Sequence, residues 1–374
     1  MTKILSVVWY KVLPAKFGGQ KGISQFNDYL SNYFPLTCIC SSNNEPTGTE
    51  NYRVKAILPT SKWQVVSLRA WSKIIRELKG GDFSHLIIEH CYYGLLGKYA
   101  RSFHHKFLIV HSHNIEYLRF KEMEKRWWPM LFWLEKKSHQ WADLSLFKTP
   151  ADMDHAISKF GLDPKKCLLV PFGIPSTQMP TTKERSSAKE IIYNRHGIPE
   201  GTKILLFNGT LDYAPNADGL RKIIHQIIPE LRKISTVPFT VIVCGRIINK
   251  EFKDLLSLKE RDYCFAGFVE DIELYFSSAD LFINPVSTGG GIKVKLIEAL
   301  SYGLPVVTTE QAAAGIDLGL TGEQLMTSHG DDMTAFCKYI VESWNKPPGV
   351  SEAFLERYQW KKIVGELADR INRQ

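Results

Sequence analysis

Gly289-Gly290-Gly291-Ile292-Lys293-Val294-Lys295-Leu296-Ile297-Glu298-Ala299-Leu300-Ser301-Tyr302-Gly303-Leu304-Pro305-Val306-Val307 is the stretch on which the fold turns. Three glycines run into an amphipathic helical pattern, and a strand starting within Leu304–Val307 follows at once. The apolar run Leu281–Asn284 comes just before it. Strand, glycine turn, helix and second strand make a βαβ unit, whose strands must lie parallel. Glycine lets a backbone approach an anion closely and turn sharply. The free N–H groups of a helix N-terminus, with the helix dipole behind them, favour a phosphate. Lys293 and Lys295 add full charges on long stems. Glu298, about one turn beyond Lys295, offers a carboxylate that accepts from hydroxyls such as those of ribose. The layout suits an anionic, hydroxyl-bearing ligand such as a nucleoside diphosphate. A glycine turn before an ordinary exposed helix is the plainer reading, and the KxKxxE that follows argues against it.

Working outward, strands and helices alternate along the whole chain. Strand-like runs fall near 3–9, 36–40, 53–58, 85–89, 106–111, 143–147 and 167–170, with helical patterns over 19–34, 61–79, 92–103, 117–141 and 150–160. The Pro/Ser/Thr-rich segment 175–182 reads as a linker. A second alternation follows, with strands near 203–208, 239–243, 263–265, 281–284 and 305–308. Its helices fall near 184–196, 216–234, 249–257, 271–278, 291–302 and 331–345, and a last amphipathic helix runs over 351–373. Single cores rarely grow past about 250–300 residues, so 374 residues predict two domains. Repeated βα units predict an α/β fold of two Rossmann-like, doubly wound parallel sheets, with a cleft between their carboxyl ends. The expected boundaries are 1–174 for the N-terminal domain, 183–350 for the C-terminal domain and 351–374 for a helix crossing back to the first.

A hydrophobic fraction of 44% and a charged fraction of 23% belong to a globular protein. No apolar run reaches the roughly 18 residues that span a bilayer. The segment Met1–Trp9 is too short for a signal peptide and reads as a first strand. Seven scattered cysteines without a CxxC support neither a disulfide framework nor a zinc site, and predict a reducing, cytoplasmic setting. Charge is lopsided. Residues 1–180 hold 24 Lys and Arg against 14 Asp and Glu, whereas residues 181–374 hold 23 against 25, giving +10 and −2 of the total +8. A basic N-terminal half suits an anionic partner such as lipid head groups, a lipid-phosphate acceptor or nucleic acid; solubility is the plainer account.

Five motifs recur in a fixed order. They are the glycine loop Phe17-Gly18-Gly19-Gln20-Lys21-Gly22, the loop Val110-His111-Ser112-His113-Asn114-Ile115-Glu116, and the junction Val170-Pro171-Phe172-Gly173-Ile174. Then come Phe207-Asn208-Gly209-Thr210-Leu211-Asp212-Tyr213-Ala214-Pro215-Asn216, and finally the opening stretch with Phe265-Ala266-Gly267-Phe268-Val269 upstream. In this order and spacing the chain resembles the retaining glycosyltransferases of family 4, which have the two-domain GT-B fold. One departure stands out: the family's glutamate pair, E-x7-E, keeps Glu298 but has Gly290 at its first position. That glutamate usually meets donor-sugar hydroxyls, so the departure falls on sugar recognition. The family's basic pair after the fourth motif is also absent, with Leu211-Asp212-Tyr213 in its place.

The resemblance implies roles for particular residues. His113 becomes the catalytic-loop histidine, with His111 as the alternative, and Lys295 meets the leaving phosphate. Gly18, Gly19, Gly209, Thr210, Gly291, Lys293, Ile297 and Glu298 join Lys295 around the nucleotide and its phosphates, with Glu298 on ribose. Val269 lies in the base-contacting loop. The donor is a UDP- or GDP-linked sugar, the acceptor a glycan or lipid-linked sugar, and no metal, other cofactor or nucleic acid is expected. Asp152-Met153-Asp154 matches the DxD of metal-dependent transferases of another fold, but Thr149-Pro150-Ala151-Asp152 reads as a capped helix start. The Trp- and Lys-rich segment 117–137 suits either packing on the N-terminal sheet or contact with an anionic membrane surface. Two other classes stay open: a sugar-nucleotide 2-epimerase-like isomerase, and a non-catalytic nucleotide-sugar-binding subunit.

Overall fold

The computed structural model describes residues 2–16, 18–175, 179–246, 262–289 and 291–374. The chain divides into two compact units, Met1–Pro175 with Tyr358–Gln374, and Ser176–Arg357. Each holds one parallel sheet, and the expected pair of doubly wound α/β domains is present. The expected helix at 249–257 lies outside the described residues, as does Gly290.

In the first unit the strands are β1 (Ile4–Val7), β2 (Leu36–Ser41), β3 (Arg53–Leu58), β4 (His85–Glu89), β5 (Phe107–His111), β6 (Leu144–Phe147) and β7 (Cys167–Leu169), in the order β3-β2-β1-β4-β5-β6-β7. Central strands such as Leu86-Ile87-Ile88 are apolar on both faces because helices cover both. On one face Ala70, Ile74 and Leu78 of one helix and Leu96 and Ala100 of the next pack on Leu5, Val7, Leu86, Ile88, Leu108 and Val110. Strand order reverses between β1 and β4, the topological switch point where ligands of such sheets bind at the carboxyl ends.

The second unit has β8 (Lys203–Asn208), β9 (Phe239–Cys244), β10 (Tyr263–Gly267), β11 (Leu281–Asn284), β12 (Val306–Thr309) and β13 (Leu325–Ser328), in the order β10-β9-β8-β11-β12-β13. Its switch point lies between β8 and β11. Its first helix, Thr182–His196, opens with a capping box: Thr181 accepts from the Glu184 N–H and Glu184 accepts from the Thr181 N–H. Gly197, at φ 63°, ends it.

Three departures from the sequence pattern have local causes. The single helix expected over 117–141 is two, Glu116–Glu122 and Trp128–Trp141, because Glu124 turns left-handed (φ 54°) and Pro129 sits in the first turn of the second. The last helix is also two, Glu352–Tyr358 and Trp360–Asn372. Gln359 is extended between them and bridges Ile174. The short β13, Leu-Met-Thr-Ser, escapes a pattern search because four residues carry little periodicity.

Candidate active site

At the second unit's switch point, the loops after β8 and β11 meet. Gly209 follows β8, and its N–H donates to the Cys244 carbonyl at 3.0 Å. A Cβ on the neighbouring Gly245 would fall 1.9 Å from the Gly209 oxygen, so only glycine permits this approach. Gly289 (φ 85°) lies against Tyr213 and Pro215 of the β8 loop, where a Cβ would come within 2.7 Å of the tyrosine oxygen. Asn216 ties the corner: its Nδ2 donates to the Thr210 carbonyl at 3.0 Å, and its Oδ1 accepts from Lys295 Nζ at 3.1 Å.

The helix of the opening motif runs Val294–Ser301. Lys293 is its N-cap residue, outside the helix, and its own side chain makes no capping hydrogen bond. The two lysines are therefore not held on opposite sides of one helix. Lys293 Nζ bends back onto the Gly289 carbonyl. Lys295 Nζ crosses to the Asn208 carbonyl at 3.0 Å and stands over the Phe207 ring. Among the described residues no carboxylate pairs with Lys295. Burial, with the nearby charge of Lys293, pushes its pKa down to about 7. Gly291 (φ 77°) shapes the turn into this helix, and Glu298 is half-buried along it. Ile297 does not face a ligand through its side chain, which is fully buried with Leu296, Ala299 and Leu300 on the helix's core side. Val269 lies two residues beyond the end of β10, on the same carboxyl edge. Gly245 and Asn216 were not singled out as site residues in the sequence; a glycine straight after an apolar strand is the signal for the first.

The first unit gathers a separate set of groups. The helix after β1 begins at Gly18, and Gln20 holds the approach to it, accepting from the Lys16 N–H at 2.9 Å and donating to the Lys11 carbonyl at 3.0 Å. A Cβ at Gly19 would meet nothing within 4 Å, so space is open there. His111 ends β5 and His113 lies in the loop beyond. Both face Glu89, the last residue of β4: His113 Nε2 is 2.6 Å from one carboxylate oxygen and His111 Nδ1 is 3.0 Å from the same oxygen. Glu89 and His111 are fully buried. Burial alone would raise the Glu89 carboxyl, but His111 and His113 more than offset it and hold the group well below the carboxylate range. Burial pushes His111 down to about 4 and His113 well below its ordinary value, while the Glu89 carboxylate pulls both the other way.

Supporting groups surround this trio. His90, with φ 65°, sets its ring tilted at 33° and 4.6 Å from that of His113, approaches Glu116 at 3.4 Å and lies 3.3 Å from the Tyr10 hydroxyl. Glu116 also accepts from Tyr92 at 2.7 Å and Arg119 at 2.6 Å. Glu135 accepts from the Glu116 and Tyr117 amides at 2.8 and 2.9 Å, fixing the end of the histidine loop. Lys148, after β6, is buried near the rings of Phe26 and Trp360, and burial pushes it down to about 7. Glu89, His90, Glu135 and Lys148 were not anticipated. The ligand atoms of Glu89, His111 and His113 lie within 4.8 Å of one another and are the group among the described residues that could hold a metal ion. Asp152 sits in the first turn of the Pro150–Ala156 helix, its N–H bonded to Thr149, as its sequence context predicts.

A family model described as glycosyltransferase family 4 matches residues 29–178, and one described as glycosyl transferases group 1 matches residues 202–346. An uncharacterized 44.6 kDa protein in the cps region of Klebsiella pneumoniae is 24% identical over 176 residues, and the match covers 44% of this chain and 44% of that relative. Among solved structures, sucrose-phosphate synthase from Thermosynechococcus elongatus superposes with a TM-score of 0.73 at 14% identity, over 100% of this chain and 99% of that one. HepE from Anabaena, solved with UDP, gives 0.74 at 14% identity over 100% of both chains. WaaG, a glycosyltransferase involved in lipopolysaccharide biosynthesis, gives 0.63 at 15% identity over 98% of this chain and 95% of its own. At such identities these structures speak for the fold.

Proposed function

The chain belongs to glycosyltransferase family 4, and on that premise we propose that it moves a hexosyl group from a nucleotide-diphospho-sugar to a glycan or lipid-linked acceptor, retaining the anomeric configuration. The observation that carries this reading is Lys295. Its ammonium rests on an Asn208 carbonyl and the Asn216 amide oxygen, without a carboxylate partner among the described residues. Beside it is a helix start whose N-cap residue, Lys293, makes no side-chain capping hydrogen bond. Positive charge and a helix N-terminus at a sheet's switch point form a receptor for a diphosphate.

As the bond from the sugar to the donor phosphate breaks, charge gathers on the leaving diphosphate. Fixed cations and amides stabilise that charge without reorganising. In this reading Lys295, Lys293 and the amides after Gly291 do so, with Gly209, Thr210, Gly18 and Gly19 letting backbone come close. Glu298 takes the ribose hydroxyls, backbone near Val269 takes the base, and His113 meets the sugar. Ile297 contributes by packing the helix in place. With this charge supplied by the protein, transfer is expected to persist in EDTA. HepE, solved with UDP and with UDP-glucose, supports a UDP-linked donor.

A thermal-shift screen with UDP, GDP, ADP and their sugars tests the reading. A rise in midpoint with one nucleotide and its sugar is expected. No rise with any of them would overturn it, and donor binding without transfer, hydrolysis or epimerisation would point to a non-catalytic subunit. Among the described residues no helix is long and apolar enough to cross a membrane. Met123, Trp127, Met130 and Trp133 are nonetheless exposed among Lys121, Lys125, Arg126, Lys136 and Lys137. We read this surface as a peripheral contact with anionic lipid, from the cytoplasmic side, near a lipid-linked acceptor. Flotation with anionic liposomes at low salt is expected, and its absence would remove the membrane from this account.

A further inference from the structure

Glu89 is a charged side chain buried at the carboxyl end of a central strand, which is costly unless its oxygens are satisfied. Two ring nitrogens satisfy them. His113 Nε2 lies 2.6 Å from Oε2, and His111 Nδ1 lies 3.0 Å from Oε2 and 3.2 Å from Oε1. These are hydrogen-bond separations. Ligands about 2.0–2.2 Å from a tetrahedral zinc stand wider apart, at roughly 3.3 Å or more. The trio therefore closes on itself by two N–H donors and one acceptor group.

Which nitrogen of each ring carries the proton then follows from its neighbours. A carboxylate only accepts, so the nitrogens facing it must be the protonated ones. His111 Nε2 is buried without a partner. A bare lone pair there costs less than a stranded N–H, which agrees with protonation at Nδ1. His113 has its Nε2–H committed to Glu89. Its Nδ1 has no partner among the described residues, and the side chain keeps 12% of its surface exposed. The left-handed backbone at His90, next to Glu89, is the kind of strained position held only where the surroundings impose it.

We propose that Glu89 is a positioning residue: by accepting from His113 Nε2–H and His111 Nδ1–H it fixes both tautomers and leaves the lone pair of His113 Nδ1 open as the acceptor for a ligand hydroxyl. The proposal rests on the reading of His113 as the residue that meets the sugar. It makes His113 an acceptor for that hydroxyl and not a donor to it. Lys148 interacts electrostatically with the Glu89 charge, which favours the lysine's protonated form against burial.

Nitrogen-15 NMR of the ligand-free full chain, labelled at histidine and assigned with His113→Asn and His111→Asn, tests it. Neutral His113 protonated at Nε2 and neutral His111 protonated at Nδ1, both unchanged between pH 6 and 8, is the expected result. In Glu89→Gln one carboxylate oxygen becomes an NH2 donor; at the Oε1 position it faces His111 Nδ1, so His111 can no longer hold its proton there without opposing a second donor and should change tautomer. Turnover of UDP-glucose should then fall about 10²-fold, with its KM little changed. Glu89→Asp, which keeps the charge, should hold the tautomers and recover part of the turnover. A wild-type His113 protonated at Nδ1, or a Glu89→Gln chain with unchanged tautomers, overturns the proposal. If the wild type shows the expected tautomers but does not turn over UDP-glucose, the role of Glu89 stands and the donor reading alone fails.

Discussion

Lys295 is where one side chain bears most on the chemistry. Replacing it with alanine removes a preorganised charge from the leaving group, and transfer should fall about 10²–10³-fold. Thermal midpoints would check that the fold is kept, and wild-type turnover would take Lys295 out of the site. Its depressed pKa adds a signature. Free lysine stays charged to pH ~10.4, whereas Lys295 loses its proton near 7. A bound diphosphate favours the charged form and raises that value. Binding UDP at pH 8 should therefore take up close to one proton, and affinity should weaken as pH rises above 7. Calorimetry in buffers of different ionisation enthalpy reads this directly, and zero uptake would contradict it. The two lysines were legible because they sit within one local motif. Asn216 and Glu89 were not, since their partners lie 79, 22 and 24 residues away along the chain. Ile297, implied as a ligand residue by its place in the motif, instead belongs by its burial to the apolar face of its helix.

At the scale of elements, periodicity and glycine placement revealed most strands and helices, but not where helices break. Glu124 and Gln359 are such breaks, and neither residue type announces one. Glycines near the site divide by what surrounds them. Gly245 has the Gly209 carbonyl where a Cβ would go, so Gly245→Ala must push two loops apart and should cost about 1–3 kcal/mol. Gly19 has open space in the first turn of its helix. Gly19→Ala should leave stability equal or up to about 1 kcal/mol higher, yet weaken donor binding if phosphates approach there. Urea midpoints and UDP affinity, measured for both variants, separate the two effects. A destabilised Gly19→Ala with intact affinity would return that glycine to a purely structural role.

Across the whole molecule, the chain closes its first unit with its last segment. After Arg357 the backbone rejoins residues from the N-terminal half: the Ile174 N–H donates to the Tyr358 carbonyl at 2.6 Å, and the Trp360 N–H donates to the Ile174 carbonyl at 3.2 Å. Trp360 is fully buried, donates from Nε1 to Gln25 at 2.9 Å, and packs against Phe26 and Phe172. A Cβ on Gly173 would fall 2.4 Å from its ring, which explains the glycine in the junction motif. The sequence shows the aromatic but not this partner, because the contact spans 335 residues. Trp360→Ala leaves a large cavity and should destabilise the first unit by about 3–5 kcal/mol. The second unit has a core of its own, built around Leu205, Phe207, Val241, Ile283 and Phe336. Hydrogen–deuterium exchange by mass spectrometry resolves the two. Peptides from β1, β4 and β5 should lose protection in Trp360→Ala while those from β8, β9 and β11 keep theirs. Equal loss in both sets would mean that the units fold as one cooperative body, and that the last helix stabilises more than the unit it completes.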